Sequence, residues 1–104
     1  MGELERVAFQ IIAAVGEARS CYVEAIHAAK EHDFERAQEL MDKGEQEFYR
    51  GHDAHTGLIQ REAGGDPIAM NLMLAHAEDQ LMSAETFRAV AVELIDMCKC
   101  LPEA

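Results

Sequence analysis

Apolar residues recur along the N-terminal third of the chain at alternating intervals of four and three: Leu4, Ala8, Ile11, Val15, Ala18, Tyr22, Ala25 and Ala29. That spacing puts them on one face of a helix. A second run of the same kind follows: Phe34, Ala37, Met41, Gly44, Phe48, Gly51, His55 and Leu58. Gly44 and Gly51 weaken a helix interior, and on a seam they let a neighbouring element come close. Two interruptions separate the runs. At Glu31-His32-Asp33, Asp33 is suited to cap the next helix. At Gly64-Gly65-Asp66-Pro67, a C′ glycine, an N-cap aspartate and an N1 proline follow in order. The pattern predicts helices over about 3–31, 34–63 and 67–100, in one domain covering 1–104. Short connections make successive helices antiparallel, so the predicted fold is all-α, an up-down-up three-helix bundle. No strand alternation, repeat or low-complexity segment interrupts this reading.

The third run has two apolar faces. One carries Met70, Leu74, Ala77, Leu81, Ala84, Ala91, Ile95 and Cys98, with Arg88 as its exception. The other, nearly opposite, carries Ile68, Leu72, Ala75, Asp79, Met82 and Thr86. Such a helix needs two burying partners. Its own bundle supplies one, and a second copy of the chain is the natural other, which predicts a homo-oligomer packed through helix 3.

Composition narrows the function classes. The formal net charge is −11 over 104 residues, a surface that repels nucleic acid and anionic membrane. It also disfavours a free anionic substrate, so phosphate chemistry here calls for phosphate delivered by a partner protein. Cys21, Cys98 and Cys100 are odd in number and lack a CxxC spacing, which reads as free thiols in a reducing compartment. The opening Met-Gly-Glu-Leu-Glu-Arg has no basic n-region, and Val7 to Val15 is too short to span a bilayer. The expectation is a cytoplasmic protein.

Polar residues inside the seams are the candidates for chemistry. Asp79 stands in the second stripe of helix 3. A carboxylate there is costly unless paired or metal-bound. Symmetry-related copies of Asp79 could converge, and a hard cation such as Mg²⁺ would join them. The competing reading is a solvated aspartate, and spacing alone leans toward it. His76 lies beside the same seam, and a neutral imidazole nitrogen is a competent nucleophile near neutral pH. On spacing alone a surface or satisfied interior histidine is the plainer reading. Gln80, one turn on, offers a hydrogen bond to a phosphoryl oxygen. Counting from the Gly65-Asp66 turn at a 1.5 Å rise, His55 and His76 each lie roughly 15 Å away, hence level. This predicts an interior polar layer of His55, His76, Asp79 and Gln80. His52 and His55 are three apart without a compelling third metal ligand, and no Gly-rich phosphate loop or GxSxG motif occurs.

The segment Leu72-Met73-Leu74-Ala75-His76-Ala77-Glu78-Asp79-Gln80-Leu81-Met82-Ser83-Ala84 resembles the active-site signature of the lactose/cellobiose-type IIA components of the bacterial sugar phosphotransferase system. That signature has His-Ala-(Gln/Glu)-Asp-His-Leu-Met at its centre. Gly16-Glu17-Ala18-Arg19-Ser20 is similar to the family's Gly-x-Ala-Arg-Ser, and Asp33-Phe34-Glu35 to its second-helix start. His52, Thr56, Leu58 and Ile59 fall in its second-helix run, so the resemblance extends over about 5–98.

The resemblance implies a homotrimer of three-helix subunits. It implies a phosphotransferase component whose His76 accepts a phosphoryl group from phosphorylated HPr and passes it to a cysteine of the IIB component. From there the group goes to a lactose-, cellobiose- or chitobiose-type sugar entering through the membrane IIC component. It implies further that Asp79 binds Mg²⁺ on the trimer axis, one ion per trimer. Two positions depart from the family: Gln80 stands where a second histidine is usual, and His55 where glutamine is usual. Gln80 can donate a hydrogen bond but carries no charge, and a supporting role moved to His55 is the compensation these departures offer. The alternatives are a IIA-like binding or regulatory module without relay, which the changed Gln80 permits, and a histidine-phosphotransfer domain of a two-component pathway, which the Asp79 seam disfavours.

Overall fold

The computed structural model describes residues 2–103. Three helices account for most of them: α1 Glu3–Lys30, α2 Phe34–Ala63 and α3 Leu72–Lys99. Among the described residues there is no strand. None of the helices is long and apolar enough to cross a membrane.

Local chemistry sets the helix ends. At the end of α1, the Asp33 N–H donates to the Ala28 carbonyl at 2.9 Å and the His32 N–H to Ala29 at 3.0 Å. This is the Schellman pattern, with His32 at φ 60 in the left-handed position. Asp33 then starts α2, its carboxylate accepting from the Arg36 N–H at 3.1 Å. The end of α2 repeats the pattern. Asp66 N–H donates to the Arg61 carbonyl at 3.0 Å and Gly65 N–H to Glu62 at 3.1 Å. Gly65, at φ 95, takes the conformation that costs an L side chain most.

α3 begins at Leu72, not at Pro67 as the sequence signals predict. The cap is Asn71, whose side chain accepts from the Leu74 N–H at 2.8 Å. Asp66 is engaged elsewhere, with its carboxylate 3.2 Å from Arg61 Nε. The non-helical stretch between them lays Ile68 against the core. Burial of Ile68 and a better-placed cap outweigh a proline at N1.

The core is formed by the seams read from the sequence. Ala8, Ile11, Val15, Ala18, Tyr22, Ala25 and Ala29 of α1 are all fully buried, and the alanines let the other helices approach closely. Glu3 meets Arg61, Val15 faces Gly51, and Tyr22 faces Gly44. A Cβ at Gly44 would stand 2.5 Å from Tyr22 Cε1, so the glycine makes room for a ring. Arg88, the exception in the α3 seam, is paired: its Nε lies 2.6 Å from Glu45 Oε1, and its guanidinium carbon sits 5.6 Å from the Phe48 ring centroid. The Tyr22 hydroxyl donates to the same Glu45 oxygen at 3.3 Å. Apart from Tyr22 and the Cys21 thiol, no side chain with a polar group is buried outright among the described residues. The three cysteines are free thiols, and burial pushes the Cys21 thiol up from its ordinary pKa.

Candidate functional site

His76 lies in the second turn of α3, just beyond the Asn71 cap. Its ring is exposed, at the edge of an open concavity shared with Glu5 of α1 and with Asn71, Leu72 and Met73. Leu72 is 86% exposed, so the approach to the imidazole is wide and largely apolar. α3 has no acidic residue in its first turn, whereas α1 carries Glu3 and Glu5 there and α2 carries Glu35. The partial positive charge of this N-terminus, worth about 0.3–1 kcal/mol to a nearby anion, is thus not offset by a carboxylate of its own first turn.

At 3.6 residues per turn, His76, Asp79 and Gln80 fall within about 100° of arc on α3, while Glu78 projects about 200° from His76. The first three therefore share a face, and the structure separates them by environment. Asp79 is exposed, on a face with Leu72, Met82, Val90 and Met97. Those apolar side chains are 86, 60, 46 and 60% exposed, which continues the sequence's second stripe along the whole helix. Gln80 is half-buried, and its Oε1 accepts a hydrogen bond from Arg19 Nη1 of α1 at 2.8 Å.

His55 goes elsewhere. Its Nε2 lies 2.6 Å from Glu78 Oε2, on the side of α3 away from His76. The expected interior layer of His55, His76, Asp79 and Gln80 is therefore not formed: His76 and Asp79 are in solvent, and His55 and Gln80 have partners on different helices. The physical reason is that a polar layer must satisfy every member, and separate pairs at the bundle margin do so while leaving the interior apolar. His52 faces Phe48 and Tyr49, so it forms no chelating pair with His55. Among the described residues no group of three or more His, Cys, Asp or Glu side chains is placed to hold a metal ion. Asp79 is therefore not part of such a group within one chain.

Two side chains enter the site's surroundings without having been singled out for chemistry. Glu78 lies within the His76 segment, and Arg19 within Gly16-Glu17-Ala18-Arg19-Ser20, so motif membership was the available signal. Their partners are set by tertiary contact, which periodicity does not reveal.

Residues 6–99 match the family described as the lactose/cellobiose-specific IIA subunit of the phosphotransferase system. The oligo-beta-mannoside-specific EIIA component of Bacillus subtilis is 40% identical over 95 residues, covering 91% of this chain and 86% of the relative. The lactose-specific EIIA component of Staphylococcus epidermidis is 33% identical over 97 residues, covering 93% of each chain. In three dimensions the chain is similar to the cellobiose-specific enzyme IIA of Bacillus anthracis, with a TM-score of 0.92, 38% identity, and 95% and 91% of the two chains covered. It is also similar to the IIA component in the solution structure of an IIA(chitobiose)–HPr complex of Escherichia coli, with a TM-score of 0.81, 33% identity, and coverage of 95% and 96%.

Proposed function

The chain belongs to the lactose/cellobiose-specific IIA family of the phosphotransferase system, and from that premise we propose that it is a phosphoryl carrier whose nucleophile is His76. The observation that carries the reading is an exposed imidazole at an open, apolar-rimmed concavity, on a segment bearing the family signature. A carrier must meet two partners in turn at one atom, and an open site serves that need. The similarity to a IIA component found in complex with HPr supports phosphorylated HPr as the donor.

The transfer is an in-line displacement. A neutral His76 nitrogen attacks phosphorus, the phosphorus–nitrogen bond of the donor's phosphohistidine breaks, and the donor imidazole leaves with its electron pair. A cysteine thiolate of the IIB component later attacks the same phosphorus, and His76 leaves in its turn. The group then reaches a lactose-, cellobiose- or chitobiose-type sugar entering through IIC. Such chemistry depends on positioning and on neutralising oxygen charge. Gln80 supplies a hydrogen bond to the phosphoryl oxygens. His55 fixes α3 against α2 through Glu78 and takes no part in transfer.

The working unit is a homotrimer of antiparallel three-helix subunits in the cytoplasm. Pairs such as Glu3 with Arg61 and Tyr22 with Gly44, whose numbers run in opposite directions, support the antiparallel order. The exposed stripe of α3 supports assembly through that face. Asp79 from each subunit would hold one Mg²⁺, which neutralises carboxylates brought together by symmetry.

The experiment is phosphorylation by phosphoenolpyruvate, Enzyme I and HPr, read by intact mass. One acid-labile phosphate on the wild type and none on His76→Ala is expected. Phosphorylated HPr with no adduct on the wild type, or an undiminished adduct on His76→Ala, overturns the reading. Light scattering tests the assembly, and a monomeric mass at micromolar concentration refutes it.

A further inference from the structure

We propose that Arg19 is a positioning residue for phosphoryl transfer at His76, acting through the carboxamide of Gln80. The inference rests on the carrier function above and adds a residue to it. Arg19 stands on α1, 61 positions before Gln80, and donates from Nη1 to Gln80 Oε1 at 2.8 Å.

A guanidinium has five N–H donors and no acceptor, so the atom of Gln80 that it holds is the carbonyl oxygen. That contact settles which way the carboxamide faces. With Oε1 turned to α1, both Nε2 hydrogens remain for another acceptor. Without a partner, the amide turns over freely and presents Oε1 as readily as Nε2, and an oxygen facing phosphoryl oxygens repels them. Gln80 lies one helical turn after His76, and helical side chains lean toward the N-terminus, so Gln80 leans toward the His76 turn. Its half-buried position limits the rotamers open to it.

Charge adds to orientation. Gln80 carries none, in a molecule with a net charge of −11 that must receive an anion. The bond from Arg19 is charge-assisted, and it draws electron density from the Gln80 carbonyl, which strengthens the Nε2 hydrogens as donors. Arg19 and Gln80 together thus present a donor polarised by a cation, while the cation itself stays bound to α1.

The test is a double-mutant cycle on the rate of His76 phosphorylation at subsaturating phospho-HPr, read by quenched intact mass. Arg19→Met and Gln80→Ala each slow transfer by about tenfold, the change that follows from losing one hydrogen bond of ordinary net strength. The double variant is no slower than Gln80→Ala, because Arg19 acts through Gln80. Arg19→Lys, which can still donate to Oε1, keeps the rate within about threefold of wild type.

Gln80→Glu separates positioning from structure. It keeps a partner for Arg19, so melting temperature and oligomeric mass hold, but it has no N–H donor and transfer slows as in Gln80→Ala. Wild-type transfer by Arg19→Met or by Gln80→Glu overturns the proposal. So does full additivity in the double variant, which would show Arg19 working by another route. If the wild type itself takes no phosphate from phosphorylated HPr, the carrier function falls and this inference with it. If the wild type is phosphorylated and Arg19→Met matches it, this inference falls alone.

Discussion

Nε2 of His55 and Oε2 of Glu78 lie 2.6 Å apart, joining α2 to α3 on the flank turned away from His76. The pair ties down the helix that carries His76 without reaching His76 itself. His55→Gln should therefore cost about 1 kcal/mol of stability in denaturant titration, the net worth of an ordinary hydrogen bond. Phosphorylation of His76 in that variant should stay within about twofold of wild type. A tenfold loss of transfer with stability unchanged would restore the supporting role that sequence comparison offered for His55.

Asp79 stands among exposed apolar side chains on α3. In the proposed trimer, removing Mg²⁺ with a chelator would leave the Asp79 carboxylates of the three subunits repelling one another, so the wild-type assembly should loosen. Asp79→Leu should assemble as well as wild type or better, since apolar replacement of a buried charge is neutral or stabilising by about 1–4 kcal/mol. Its assembly should also ignore the chelator. Light scattering with and without chelator reads both effects, and dissociation of Asp79→Leu would count against the arrangement.

Gly44 is tested by Gly44→Ala. The change improves helix propensity by about 1 kcal/mol. Against that, the added Cβ meets Tyr22 Cε1 at 2.5 Å, and Tyr22 is fully buried with its hydroxyl held by Glu45. Overpacking of this kind costs about 1–3 kcal/mol, so the net effect should be destabilising. A more stable Gly44→Ala would show that the ring moves aside easily.

Tyr22 gives the protein an alkaline limit. Burial, and then the Glu45 carboxylate, push its hydroxyl well above the ordinary range. A group raised in the folded state contributes its full stability below the unfolded value, about 10 for tyrosine, and loses it as pH rises toward the folded value. Wild-type stability should fall above about pH 10, by up to about 1.4 kcal/mol per pH unit from this group. Tyr22→Phe should be less stable at neutral pH, for want of the bond to Glu45, and should show a shallower alkaline decline. Parallel curves for the two proteins would remove Tyr22 as the cause.

The ends of α1 and α2 were legible because their signals are local: Asp33 caps, and Gly65 takes the left-handed conformation two residues past Ala63. The start of α3 was not: Asp66-Pro67 carries the local signal for a helix start, yet the helix is capped by Asn71. The choice between them depends on Arg61 holding Asp66 and on Ile68 reaching the core. In the site, a shared face for His76, Asp79 and Gln80 follows from helical period alone. The environment of each does not: the partners of Gln80 and His55 lie on other helices, and the level estimate that placed His55 beside His76 fixes height along the bundle but not direction around α3.

Glu45 receives Tyr22 from α1 and Arg88 from α3 on a single carboxylate oxygen. Replacing it strands a guanidinium at a seam position, and replacing Arg88 strands the carboxylate. Neither position can drift alone without a penalty, so descent from one pairing to another must pass through a weakened intermediate or change both sites together. Single ion pairs within one helix on the solvated faces, such as Arg36 with Glu39, carry no such linkage. Over generations, this junction of three helices should behave as a fixed knot around which the rest of the surface is free to vary.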